Sequence, residues 1–105
     1  MATYQLAIVT PNGKFLDKQV TYLKAPGASG SFGVLAKHAP MVAQLNAGVL
    51  DVKDEGGEVI YAIGPGVLEV DEKSNVLLLS DVIEVAKDPS EAQEKVKQIL
   101  NQKSS

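Results

Sequence analysis

The sequence predicts a mainly β fold: an antiparallel β-sandwich (a flattened barrel) followed by one short C-terminal α-helix. Three observations predict it. Short apolar segments, several with two-residue alternation, recur through the first part of the chain. Turn chemistry separates them at roughly 8–12-residue intervals, as in sandwiches and barrels. At Asp88 the texture becomes helical. The chain therefore divides into a β domain, residues 1–86, and a short helix with a frayed tail, residues 87–105.

Each element has its own signal. Tyr4, Leu6 and Ile8 alternate along a first strand, which Pro11-Asn12-Gly13 ends. Phe15 to Leu23 reads as one second strand. The glycine-rich stretch GASGSFGVLAKHAP, residues 27–40, follows as a loop. Met41 to Leu45 is a short apolar piece, and Gly48 to Lys53 a further strand. Asp54-Glu55-Gly56-Gly57 turns the chain into Val59 to Ile63. Gly64-Pro65-Gly66 interrupts, and Val67 to Val70 then pairs with Val76 to Leu79 across a polar loop. Asp88-Pro89-Ser90-Glu91 is a helix start, with a capping aspartate, proline at the first helical position and glutamate at the third. Ala92, Val96, Ile99 and Leu100 form one apolar stripe, and Glu91 and Lys95 stand four apart for an ion pair.

Composition excludes several classes of function. The 105 residues, 45% hydrophobic and 22% charged, suit one globular domain. A net charge of −3 argues against nucleic acid, which needs a basic stripe. All 10 cationic residues are lysine, so no bidentate guanidinium clamp for phosphate exists. Without cysteine there is no disulfide, thiolate catalysis or zinc–sulfur site. A single histidine rules out a multi-histidine metal site within one chain. MATYQLAIVT shows no secretory signal, and no apolar run reaches the ~20 residues of a membrane span.

The remaining candidates are weak as chemistry. Gly27, Gly30 and Gly33 suggest a phosphate cradle, but Val34-Leu35 stands where a phosphate loop needs Lys-Ser/Thr. Their spacing also fails the dinucleotide fingerprint. They read instead as loop glycines that supply positive φ angles. His38 could act as a general base only with a carboxylate such as Asp51 or Asp81, and its position suits a surface contact better. Asp51, Asp54, Glu55 and Glu58 lack a calcium-loop pattern and read as a solvated turn. No cofactor, metal or catalytic set emerges. The exposed apolar character of the loop around Phe32, Val34 and Leu35 points to protein contact.

The pattern Gly27-Ala28-Ser29-Gly30-Ser31-Phe32-Gly33-Val34-Leu35, then His38-Ala39-Pro40, Leu45 and Gly48-Val49-Leu50, resembles the epsilon subunit of F-type ATP synthases. The opening YQLAIVTPNGKFLDKQV and the later YAIGPGVLEVDEKSNVLLLSDV are similar to that family's hairpins, so the resemblance covers about residues 3–85. It implies a non-catalytic rotor subunit, carried on the central stalk, that binds the gamma subunit and the membrane c-ring and couples proton translocation to ATP synthesis or hydrolysis.

Carried over by position, the resemblance assigns Ala28, Ser29, Gly30, Ser31 and Phe32 to ring contact. It assigns Thr10, His38, Met41, Val42 and Ala43 to gamma contact, and Gly27, Gly30, Gly33 and Gly48 to structural roles. It implies the cytoplasmic face of a bacterial inner membrane, with the mitochondrial matrix side as the lesser choice, and membrane attachment only through the complex. The family's Leu-Pro-Gly-His reads Leu35-Ala36-Lys37-His38 here, and Ser31 stands at its usual acidic position. The family carries two C-terminal helices, where one short helix is expected here. Its ATP motif needs an arginine, so ATP binding and an inhibitory role are not expected. The alternative from a different class is a free-standing β-sandwich that binds a small ligand.

Overall fold

The computed structural model describes residues 2–103. Ten strands and one helix follow in order: β1 (Tyr4–Thr10), β2 (Gly13–Val20), β3 (Tyr22–Gly27), β4 (Gly30–Leu35), β5 (Met41–Leu45), β6 (Gly48–Asp54), β7 (Gly57–Ile63), β8 (Gly66–Val70), β9 (Val76–Ser80), β10 (Ile83–Ala86) and α1 (Pro89–Lys103). The strands form one hydrogen-bonded path, β10-β7-β6-β3-β5-β8-β9-β1-β2, with β4 paired to β3. The path folds over between β3 and β5, where Gly27 and Leu45 alone pair. One layer, β10-β7-β6-β3-β4, thereby faces the other, β5-β8-β9-β1-β2.

Alternation explains which side chains lie between the layers. Tyr4, Leu6 and Ile8 of β1, Leu50 and Val52 of β6, and Leu68 and Val70 of β8 are all buried. They join Leu23, Val34, Leu45, Tyr61, Ile63 and Leu78 in one core. A fully buried leucine contributes on the order of 1.5–3 kcal/mol, so aliphatic packing carries most of the stability. Polar links stitch the layers. Tyr4 donates its hydroxyl to the Val34 carbonyl at 2.7 Å, and burial pushes that hydroxyl's pKa up. Lys18 of β2 meets Asp54 of β6 at 2.6 Å. The ammonium of Lys18 and the Gly56 amide hold the Asp54 carboxyl below its usual range.

Five expectations need correction. The segment Phe15 to Leu23 is two strands, because at Thr21 the chain crosses between layers and both its amide and its hydroxyl donate to the Lys53 carbonyl. The sheet is not wholly antiparallel, since β1 and β9 run parallel. The glycine-rich loop is largely the β3–β4 hairpin. Glu91 pairs with Lys87 at 3.9 Å, and Lys95 reaches Glu84 of β10 at 3.5 Å. Asn101 to Lys103 continue the helix rather than fray; the expected tail residues Ser104 and Ser105 lie outside the described residues.

The helix start matches its sequence signal. Asp88 accepts the Glu91 amide at 2.8 Å, and Glu91 accepts the Lys87 amide at 3.1 Å. Ala92 and Ile99 are buried, whereas Leu100 remains 48% exposed. The helix packs on β7, β6 and β10, where Ala92 joins Ile60, Ala86 and Val49 in a second small core. Its cover is confined to one outer face.

Two backbone positions carry measurable constraints. A Cβ at Gly66 would collide with the Leu79 carbonyl across the β8–β9 pair. Gly66→Ala is expected to lower unfolding stability by about 3 kcal/mol in chemical denaturation. Lys37, where the resembled motif has glycine, holds φ at 67°. That left-handed conformation costs a side-chain-bearing residue roughly 1 kcal/mol. Lys37→Gly should therefore leave stability level or raise it by up to about 1 kcal/mol in the same measurement.

Candidate functional site

No catalytic arrangement forms around the histidine. His38 Nδ1 lies 2.7 Å from the Ala39 carbonyl, and the His38 carbonyl accepts the Ser74 hydroxyl at 3.0 Å. Asp51 lies on β6 in the opposite layer. Asp81 follows β9 at the far end of the layer from His38, as the β8–β5 and β8–β9 registers dictate. Neither carboxylate is brought to the imidazole. Among the described residues, no group of three or more histidine, aspartate and glutamate side chains could hold a metal ion.

The stretch from Gly27 to Leu35 is a tight hairpin. Gly27 pairs with Gly30, leaving Ala28 and Ser29 as a two-residue turn. Gly30 alone of the three glycines has positive φ, at 130°. Gly27 and Gly33 serve close approach instead. A Cβ at Gly27 would lie 2.7 Å from the Gly30 carbonyl, and one at Gly33 would lie 2.9 Å from the Tyr22 ring. Gly48 likewise abuts Pro26, whose Cβ would stand 2.6 Å from an added Cβ. Ala28 to Ser31 are exposed, while Phe32 is half-buried against the main core.

The hairpin tip is tied to β5. Ala28 donates its amide to the Gln44 carbonyl, and Asn46 donates to the Pro26 carbonyl, both at 2.9 Å. Between tip and strand lies a shallow groove of ≈ 350 Å³, lined on the β5 side by Val42, Ala43 and Gln44. Within β5 the side chains alternate. Met41 packs toward the core and Ala43 is half-buried, whereas Val42 is 70% exposed. Thr10 closes the β1–β2 turn, its Oγ1 accepting the Asn12 amide at 3.2 Å. Thr10 and His38 thus stand at opposite ends of the β5-β8-β9-β1 layer.

Between them lies an outward apolar row absent from the sequence reading. The registers set Val67 of β8 beside Leu79 of β9, and Leu79 beside Val9 of β1. Val67 is 39% and Leu79 43% exposed. These residues and Thr10 border an apolar groove of ≈ 380 Å³ that also involves Pro11, Pro65 and Asp81. One signal in the sequence could have found the row. The run Val76-Leu77-Leu78-Leu79 is apolar at every position, and strands apolar on both faces are ones covered on both faces. Here α1 covers the other layer. The two outer faces therefore differ, one covered by the chain's own helix and one apolar and open.

Comparison with known proteins places this architecture. Residues 3–86 match the family model for the ATP synthase, Delta/Epsilon chain, beta-sandwich domain. The ATP synthase epsilon chain of Sulfurovum sp. (strain NBC37-1) is 36% identical over 104 residues, covering 95% of this chain and 81% of that relative. The sodium ion specific epsilon chain of Propionigenium modestum is 36% identical over 85 residues, covering 81% of this chain and 62% of the relative. Among solved structures, a chain of the Euglena gracilis mitochondrial ATP synthase (OSCP/F1/c-ring) superposes with a TM-score of 0.78 at 26% identity, covering 97% of this chain. This chain spans 64% of that one's length. A chain of the Tetrahymena thermophila central stalk/c-ring structure, 13% identical, shares the fold with a TM-score of 0.68 over 79% of this chain. The match across the sandwich and the 36% identity along nearly the whole sequence show that the chain belongs to the ATP synthase delta/epsilon family, as a non-catalytic epsilon subunit.

Proposed function

We propose that the chain is a rotor subunit of the ATP synthase central stalk, which binds gamma through the open β5-β8-β9-β1 face and the c-ring through the β3–β4 tip. The observation that carries this reading is the exposed apolar set Val42, Val67 and Leu79 on a face the chain's own helix does not cover. An apolar patch with polar surroundings gains by burial against a partner, at roughly 25 cal/mol per Å² of area removed from water. Thr10 and His38 at its two ends would set the polar rim of the same contact, and Ala43 would border it. Met41 would act from beneath, by holding β5 in register.

The tip supplies the second contact. Ala28, Ser29, Gly30 and Ser31 project small, uncharged groups from a rigid two-residue turn, a surface suited to polar loops at the head of a membrane ring. Phe32 anchors the hairpin base. Because the tip is hydrogen-bonded to β5, torque delivered at the ring would pass into the gamma-binding strand through the sandwich itself. The subunit would then couple ion translocation to ATP synthesis or hydrolysis without performing the chemistry. Its place would be peripheral, on the cytoplasmic face of a bacterial inner membrane, reached through the complex. No helix among the described residues is long and apolar enough to cross a membrane.

The two contacts can be separated experimentally. The double variant Val42→Asp, Val67→Asp should lower gamma affinity at least about tenfold in calorimetry with purified gamma subunit, by about 1.4 kcal/mol or more, with the fold unchanged by circular dichroism. Unaltered affinity would sink the assignment of this face. The variant Ala28→Arg, Ser29→Arg should leave gamma binding intact. It should reduce ATP-driven ion pumping by the reconstituted complex severalfold, and normal pumping would remove the tip from the ring contact.

A further inference from the structure

Asp51 does not behave as a solvated turn residue. It lies on the outer face of β6, directly between Lys24 of β3 and Ile60 of β7. One of its carboxylate oxygens, Oδ1, is buried with no hydrogen-bond partner. Asp51 also borders a groove of ≈ 210 Å³ shared with Lys24, Ser31, Val49, Ile60 and Pro89. Pro89 is the first residue of α1, so the start of the helix forms part of the wall around this carboxyl.

The charges facing Asp51 come from each neighbouring element. Lys24 stands opposite on β3, and Lys53 lies two residues along β6. Glu58 of β7 is the diagonal neighbour, and Lys87, Asp88 and Glu91 surround the helix start. Glu58 is held loosely by Lys53, at 4.0 Å. Glu58 sets a like charge beside Asp51.

We propose that a proton on Asp51 gates the docking of the first turn of α1 on the β6–β7 face. With the proton in place, the buried Asp51 carboxyl is neutral, and the helix start seats over the groove. Without it, two adjacent carboxylates repel, and one has a desolvated oxygen. Lifting the first turn admits water and relieves that cost. The apolar cover over Val49, Ile60 and Ala86 thereby becomes proton-sensitive.

The direction follows from linkage. Burial, then the neighbouring Glu58 carboxyl, push the Asp51 carboxyl up to about 6, against the opposing pull of Lys53 and Lys24. A carboxyl raised in the docked state stabilises docking most below its ordinary value. That contribution is lost as pH rises through the raised one. If opening the helix start restored an ordinary value near ~4, the docking constant would fall about tenfold between pH 5 and pH 7.5. Part of the burial comes from strands, so about tenfold is the ceiling.

Hydrogen exchange on the full chain tests this. After correction for intrinsic exchange rates, α1 amide protection is expected to fall several-fold from pH 5 to pH 7.5, with protection in β1 and β9 nearly constant. In Asp51→Asn the α1 difference should disappear. In Glu58→Gln, which removes the like charge, the transition should move to lower pH. A constant α1 protection in the native chain would overturn the proposal. So would an equal fall in Asp51→Asn, or a parallel fall in α1 and the β1–β9 strands, which would link the proton to global unfolding.

Discussion

The arrangement of this subunit depends on the near-contact of β3 with β5. There the hydrogen-bonded path folds over with a single residue pair, Gly27 and Leu45. Side-chain bulk at this junction would push the layers apart. Gly27 admits the Gly30 carbonyl, and Gly48 lies directly against Pro26. The backbone bonds from Ala28 to Gln44 and from Asn46 to Pro26 then close the seam. The core, the hairpin tip and the open apolar face all take their positions from it.

From that seam follows an asymmetry between the two outer faces. On one, α1 lays Ala92 against Val49, Ile60 and Ala86 and buries Ile99, which makes the helix an extension of the fold. On the other, Val42, Val67 and Leu79 have no cover from α1. A chain of this size cannot bury every apolar side chain within one layer pair. Three of the residues left outside, Val42, Val67 and Leu79, lie where strands of the second layer run side by side. The family assignment gives this surplus a use that composition alone does not suggest.

Local chemistry was legible in the sequence wherever one residue type decides one conformation. Asp88, Pro89 and Glu91 fixed the helix start, and Asp54 with Gly56 and Gly57 fixed a hairpin turn. The β8–β9 pairing was equally plain. What depended on position in space was hidden. Thr21 carries no turn signature, yet the chain changes layer there because the Lys53 carbonyl takes both of its donors. Gly27 and Gly33 look like turn glycines but serve proximity to a carbonyl and a ring. Asp51 looked solvated because its neighbours in sequence are charged, while the groove around it is built from β3, β7 and α1. The resemblance named the loop and β5 as contact regions. It could not tell Met41 facing inward from Val42 facing outward, nor assemble Val67 and Leu79 with Val9 across three strands.

The parallel pairing of β1 with β9 has a consequence for how the chain is made. Leu6 meets Val76, so β1 finds one of its two neighbours eight strands later in the chain. At roughly 5–20 residues per second, a ribosome would leave β1 waiting for several seconds with only β2 beside it. During that interval Leu6 and Ile8 would present an unpaired, sticky edge. Such a delay, set by topology rather than by stability, makes nascent-chain protection and early capture by other chains in the cell matter before the finished subunit can take its place in an assembly.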